Sequence, residues 1–237
     1  MKTVLSSPES GAVGCHRTGP RRRSLGAALM AAGGAALVGA GGGGPAWGFT
    51  ANLAPAAPQT IYLQVGVGAF TNCYTCTPQG TPENNTTVNT VSVTVPSTAV
   101  GSGTAQAMTT NSTATQSFWD NYVYCSVPSQ LYIGGFFRTA GGSTSAAQVT
   151  ASAPSALTDA TGDALPFSQI SWTSSGNGDS GAEPFPAGTF VGGSTQSVGA
   201  MSSNTWNESC WTFSYKNAKA FPAGTYSGTV VYTMTAP

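Results

Sequence analysis

Four acidic residues crowd one stretch of this sequence: Asp159, Asp163, Asp179 and Glu183. Carboxylates so placed suggest two kinds of chemistry. Asp159-Ala-Thr-Gly-Asp163 puts two of them in a glycine-containing loop, a form in which oxygen ligands can gather around a hard cation such as Ca2+. The further oxygen ligands of an EF-hand are missing, so solvated turn acids are the plainer expectation. Two carboxylates facing across a rigid cleft would instead suit glycoside hydrolysis. Asp120, Asp179, Glu183 and Glu208 are the candidates for such a pair, and their spacing alone does not bring any two together. The only histidine, His16, falls in the leader described below. Its loss removes Ser-His and Cys-His catalysis and every histidine metal site. The expectation is a protein that is not an enzyme and holds no cofactor and no metal.

Cysteine chemistry is the next possibility. Cys73, Cys76, Cys125 and Cys210 follow the leader, and an even number in an exported chain reads as two disulfides, with three possible connectivities. The expected pairing joins Cys125 to Cys210 across distant strands and closes a small loop between Cys73 and Cys76. A redox role for Cys73-Tyr-Thr-Cys76 calls for a neighbouring βαβ pattern, which is absent. Four zinc-bound thiolates are disfavoured where thiols are oxidised. Among the tryptophans, Trp211 alternates with Phe213 and Tyr215 and reads as core. Trp206, in Asn204-Thr205-Trp206-Asn207-Glu208, reads as a polar-loop residue and is the candidate for stacking on a sugar.

The start of the chain constrains all of this. Arg21-Arg22-Arg23 precede an Ala/Gly/Leu-rich run from Leu25 to Ala40, followed by small residues ending in Ala46-Trp47-Gly48. That is the order of a secretory signal peptide with an extended n-region. Residues 1–48 are therefore expected to be removed by cleavage near Gly48–Phe49 after export through the Sec pathway. The destination is the periplasm, the cell surface or the medium. The apolar run is too short and too rich in glycine for a membrane span. What remains, residues 49–237, has three basic residues (Arg138, Lys216, Lys219) against seven acids, a formal charge of −4. Such a chain lacks the Lys/Arg cluster that nucleic acid binding requires, or that a polybasic membrane contact would use.

The elements that must position these residues are strands. Short alternating runs recur between Gly, Ser, Thr, Asn and Pro clusters, the pattern of an all-β fold. They cover Ile61–Ala69, Val91–Val95, Tyr122–Val127, Leu131–Phe137, Gln148–Ala153, Leu165–Thr173 with a bend near Ser168-Gln169, Trp211–Tyr215 and Tyr226–Thr235. Alternation puts one apolar face on each strand, and such faces need a second layer to bury them. Residues 49–237 are thus expected to form one antiparallel β-sandwich of immunoglobulin-like type. Phe185-Pro-Ala-Gly-Thr-Phe190 and Phe221-Pro-Ala-Gly-Thr-Tyr226 share a template that reads as a corner launching a strand. The Ser/Thr/Gly-rich stretches at 102–116, 139–147 and 174–181 read as loops.

The closing segment, Phe221-Pro-Ala-Gly-Thr-Tyr226-Ser-Gly-Thr-Val230-Val-Tyr232-Thr-Met-Thr, resembles the last strand of bacterial fimbrial subunits and of the spore-coat-protein-U-like secreted family. The early cysteine pair departs from that pattern, and the likeness is confined to residues 221–235. The resemblance implies a sandwich lacking one strand, whose groove is filled by a neighbouring subunit's extension, that is, by β-augmentation. Ile61, Leu63, Val65 and Val67 have the alternation of such a donor, after the Ala/Pro-rich lead of residues 52–58; they equally suit the first strand of a self-contained sandwich. The expected function is that of a secreted or cell-surface structural or adhesive protein of a bacterium, a fimbrial-type subunit assembled by strand addition. Its partners would be copies of itself or related subunits, with an export chaperone. The second reading is a secreted carbohydrate-binding module that meets glycans through Trp206.

Overall fold

The computed structural model describes residues 2–6, 49–141, 145–179 and 181–237, the first of these as backbone only. Apart from residues 2–6, the expected leader, with Cys15, His16 and Arg21–Arg23, lies outside the described residues. In chain order the strands begin with β1 (Lys2–Ser6), β2 (Thr50–Asn52), β3 (Thr60–Val65), β4 (Asn89–Ser92) and β5 (Gln106–Ala107). Next come β6 (Thr109–Thr110), β7 (Leu131–Arg138), β8 (Ala146–Ala153), β9 (Ala156–Thr158) and β10 (Ala164–Pro166). The last five are β11 (Ile170–Ser175), β12 (Gly188–Thr189), β13 (Ser194–Ser202), β14 (Thr205–Tyr215) and β15 (Ser227–Thr235).

They form the expected all-β antiparallel sandwich. One sheet runs β10-β9-β15-β1-β4-β6, with β8 joining β15 to β13; the other runs β12-β11-β14-β7-β3, with β2 and β5 also pairing with β14. Only the β1–β15 pairing is parallel among these described strands.

Alternation decides which side chains meet between the sheets. On β8, Ala147, Val149, Ala151 and Ala153 are buried; on β15, Val230 and Tyr232 point inward while Val231 is exposed. They pack against Trp211, Phe213 and Tyr215 of β14 and Leu131, Ile133 and Phe137 of β7. A buried Val or Phe in such a layer contributes about 1.5–3 kcal/mol.

The strands β14 and β7 are buried on both faces. Behind the main core a second layer covers their outer sides, made by residues 49–53, by the loop carrying Phe70 and Tyr74, and by Phe118 and Trp119. Gly135 allows one close approach within it. Its φ is +153°, and a Cβ there would lie 1.9 Å from the Tyr62 carbonyl oxygen of the neighbouring strand.

Several expected boundaries shift. Tyr122–Val127 does not form a ladder strand: it holds one bridge, Val123 to Gln116, and the Tyr124 and Cys125 amides both donate to the Thr115 carbonyl. The disulfide and these local bonds fix it in place of sheet pairing. The bend expected near Ser168-Gln169 is a 3-10 turn, Phe167–Gln169, between β10 and β11. Of the two Phe-Pro-Ala-Gly-Thr corners, Phe221–Tyr226 leads directly into β15, whereas Phe185–Phe190 contains the two-residue strand β12 within itself. Among the described residues no helix is long and apolar enough to cross a membrane.

Candidate functional site

Two places in the molecule gather the residues with chemical or recognition potential. The first lies on the outer face of β14, where Trp206, Glu208 and Cys210 follow one another at the strand period of two. Each is capped by the second layer. Both disulfides have the expected connectivity, Cys125–Cys210 and Cys73–Cys76. Cys125–Cys210 ties the Tyr122–Val127 segment onto β14, and Cys73–Cys76 closes the loop beside it.

Trp206 is a correction. The sequence places it in an exposed polar loop, whereas the structure extends β14 back to Thr205 and leaves Trp206 with no exposed surface. Its ring packs among Tyr62, Phe70, Tyr74, Trp119 and Phe136 at centroid separations of 5.5–6.1 Å. Its indole N–H donates to Glu208 Oε2 at 3.1 Å. A tryptophan so enclosed cannot stack on a sugar. The polar neighbours suggested a loop: Asn204 does occupy the turn before β14, with φ +54°, but Asn207 and Glu208 are buried residues of the strand itself.

Folding does collect acids that sequence spacing left apart. Asp120, Asp179 and Glu208 line one pocket of about 280 Å³ with Phe49, Tyr122, Tyr124 and Asn177. The Tyr124 hydroxyl donates to Asp179 Oδ2 and lies 3.1 Å from the Glu208 carbonyl oxygen. The Tyr132 hydroxyl and the Trp206 indole both donate to the Glu208 carboxylate. Burial dominates the electrostatics here. It pushes Glu208 up to about 7 against the pull of those donors and of Ser117. Burial also raises Glu183, with the Asp179 charge adding and a Ser209 hydrogen bond opposing. It raises the Tyr124 phenol well above its usual value, reinforced by its bond to Asp179.

The Asp159–Asp163 loop is satisfied by itself. Asp159 Oδ1 accepts from the Thr161 and Asp163 amides, at 3.0 and 2.9 Å, and from the Thr161 hydroxyl at 2.9 Å. This is an Asx-type turn, and no group of three or more metal-ligating side chains occurs among the described residues.

The second place is a position within a sheet. The strand-addition candidates Ile61, Leu63 and Val65 lie in β3, which pairs antiparallel with β7 from Thr60↔Arg138 to Val65↔Ile133; Val67 follows in the bend after Gly66. That segment is thus built into the chain's own sandwich, as its edge strand, and is not held out as an extension. The unusual pairing is in the other sheet. Between β4 and β15 runs β1, parallel to β15 from Lys2↔Ser227 to Ser6↔Val231 and antiparallel to β4 from Lys2↔Ser92 to Leu5↔Asn89. Among the described strands no ladder joins β4 directly to β15. Val91 of β4 and Val230 of β15 lie beside it, 2% and 0% exposed.

Sequence reasoning gave no signal for β1, which lies ahead of the arginine cluster where a leader's n-region was read. Tyr124 and Tyr132 also went unnoticed, because phenols carry no motif. Comparison with protein-family models, with characterised proteins and with solved structures finds no match.

Proposed function

We propose that the protein is an exported, non-catalytic β-sandwich with a structural or adhesive role at a bacterial surface, and that it assembles by accepting a strand between β4 and β15. The observation that carries this reading is the insertion of Lys2–Ser6 at that position. Those residues belong to the segment whose sequence reads as a signal peptide. Once the leader is cut away, the facing edges of β4 and β15 present unpaired N–H and C=O groups and uncover the apolar side chains next to them. An exposed sheet edge of this kind is a template for another chain, and filling it restores the ladder with alternate side chains in the groove. The occupant is an extended segment of a second copy or of a related subunit.

The Cys125–Cys210 and Cys73–Cys76 disulfides support the exported setting, since such bonds persist outside the reducing cytosol. The sugar-binding alternative loses its stacking residue with the burial of Trp206.

The test compares two forms in solution. One is residues 49–237; the other carries the Lys2–Ser6 segment after Pro237 through a flexible linker of about a dozen residues or more, long enough to cross back to Ser227 so that the segment can enter parallel to β15. Light scattering should find the first associated, or bound to an added strand peptide, and the second monomeric. Two monomers of equal stability would refute the reading.

A further inference from the structure

The backbone nitrogen of Phe49 lies 3.2 Å from Asp179 Oδ2, an oxygen that also accepts from the Tyr124 hydroxyl. Phe49 is also where the sequence places the first residue after leader cleavage. We infer that removal of the leader creates an α-ammonium at Phe49 that pairs with Asp179 and locks the new chain end into the acidic pocket on β14. This inference rests on the export reading above.

Three observations converge on it. Phe49 is already seated as a terminal residue would have to be: its ring packs 6.0 Å from that of Tyr124, and its carbonyl accepts the Glu208 amide at 3.4 Å. From the next residue the chain is paired, with Thr50–Asn52 of β2 against Asn207–Thr205 of β14.

Among the described residues no cation lines the pocket. The groups facing the Phe49 nitrogen are Asp179 and Tyr124, with Asp120, Tyr122, Asn177 and Glu208 lining the same cavity and Glu183 close enough to Asp179 to feel its charge. None of Arg138, Lys216 or Lys219 lines it.

Cleavage, finally, changes the donor where it matters. Hydrolysis of the 48–49 peptide bond by water leaves a carboxylate on the leader and an amine on Phe49, protonated at neutral pH. A neutral N–H becomes a full positive charge with three donors, held against a carboxylate in a partly buried site, where such bonds are strongest. The same cut releases β1 from its place between β4 and β15, so a single processing step both frees the assembly edge and pins the new end on the opposite sheet.

The test uses the protein secreted by a bacterium that expresses the full-length chain. Terminal sequencing identifies the first residue, and the pH–rate profile of acylation by an amine-selective reagent reports the α-amine. An ordinary terminal amine titrates near 7.7–8.0. The expected result is a chain beginning at Phe49 whose amine titrates at least about one unit higher, so that it reacts about tenfold more slowly at neutral pH. In Asp179→Asn, which keeps the shape and an acceptor for Tyr124, the profile returns to the ordinary range. A chain beginning at Phe49 with an ordinary profile overturns the lock and leaves export intact. A chain beginning elsewhere overturns the lock together with the assigned cleavage site. A shifted profile that persists in Asp179→Asn overturns the pairing with Asp179.

Discussion

The two long strands β14 and β15 sit at the centres of their respective sheets, yet they are held in different ways. β14 has body strands along both edges: β2 and β11 in succession along one, β7 and β5 along the other. It is further fixed by a disulfide at Cys210, a bonded carboxyl at Glu208 and an enclosed ring at Trp206. β15 has β8 and β9 along one edge, and along the other only five residues from the far end of the sequence. The contrast separates two uses of the same secondary structure. A strand whose partners are covalently part of one body supports the fold, whereas a strand whose partner can leave offers an interface.

If that contrast holds, insults to β14 should cost fold stability and leave assembly chemistry alone. The largest effect is expected from Cys125→Ala with Cys210→Ala. The bridge spans 85 residues, and closing so long a loop is worth about 4–5 kcal/mol by chain entropy; denaturant unfolding of the oxidised protein and the double variant measures it. Trp206→Ala follows, at about 3–5 kcal/mol for an aromatic truncated in a packed site. It should leave glycan-array signals unchanged, and a selective loss of glycan binding in a stably folded variant would restore the sugar-platform reading.

Glu208 gives the next effect, with a definite sign. Its carboxyl is raised from 4.5 to about 7 in the folded chain that carries an amide at residue 49. The native state therefore binds this proton more tightly than the unfolded state, and the stability that Glu208 contributes is fully present below pH 4.5. It falls as pH rises from there through 7, by on the order of 3 kcal/mol in total. Glu208→Gln should flatten that slope in urea titrations across this range, and an unchanged slope would place the proton elsewhere. The smallest effect belongs to Cys73–Cys76, whose three-residue separation closes too short a loop to contribute more than about 2 kcal/mol.

Much of this was legible in the sequence because it depends on period two. Trp211, Phe213 and Tyr215 alternate in sequence and share the inner face of β14; Val230 and Tyr232 do the same on β15. The disulfide pairing was also anticipated, as one of three possible connectivities of Cys73, Cys76, Cys125 and Cys210. Trp206 was misjudged because it lies on the outer face, which a simple sandwich leaves in water. Here the Phe70–Tyr74 and Phe118–Trp119 loops build the second layer over it, with Ala51 of the paired strand β2 beside it. No local pattern announces such a layer, since its loops are rich in Asn, Thr and Pro and read as solvated. The acidic pocket was hidden for a related reason: Asp120, Asp179 and Glu208 are distant in sequence and meet only when the Cys125–Cys210 bridge lays Tyr124 across β14. The insertion of β1 between β4 and β15 had no signal in the sequence, and the segment read there as a donor strand pairs instead with β7, over Thr60–Val65.

The edge of β15 is decisive, and amide hydrogen exchange on residues 49–237 reads it directly. Amides of Ser227–Val231 and Asn89–Ser92 that face the slot should exchange in the isolated monomer at least about a hundredfold faster than those in the centre of β14, and should become protected on assembly. Equal protection of both strands in that monomer would contradict the proposed assembly edge.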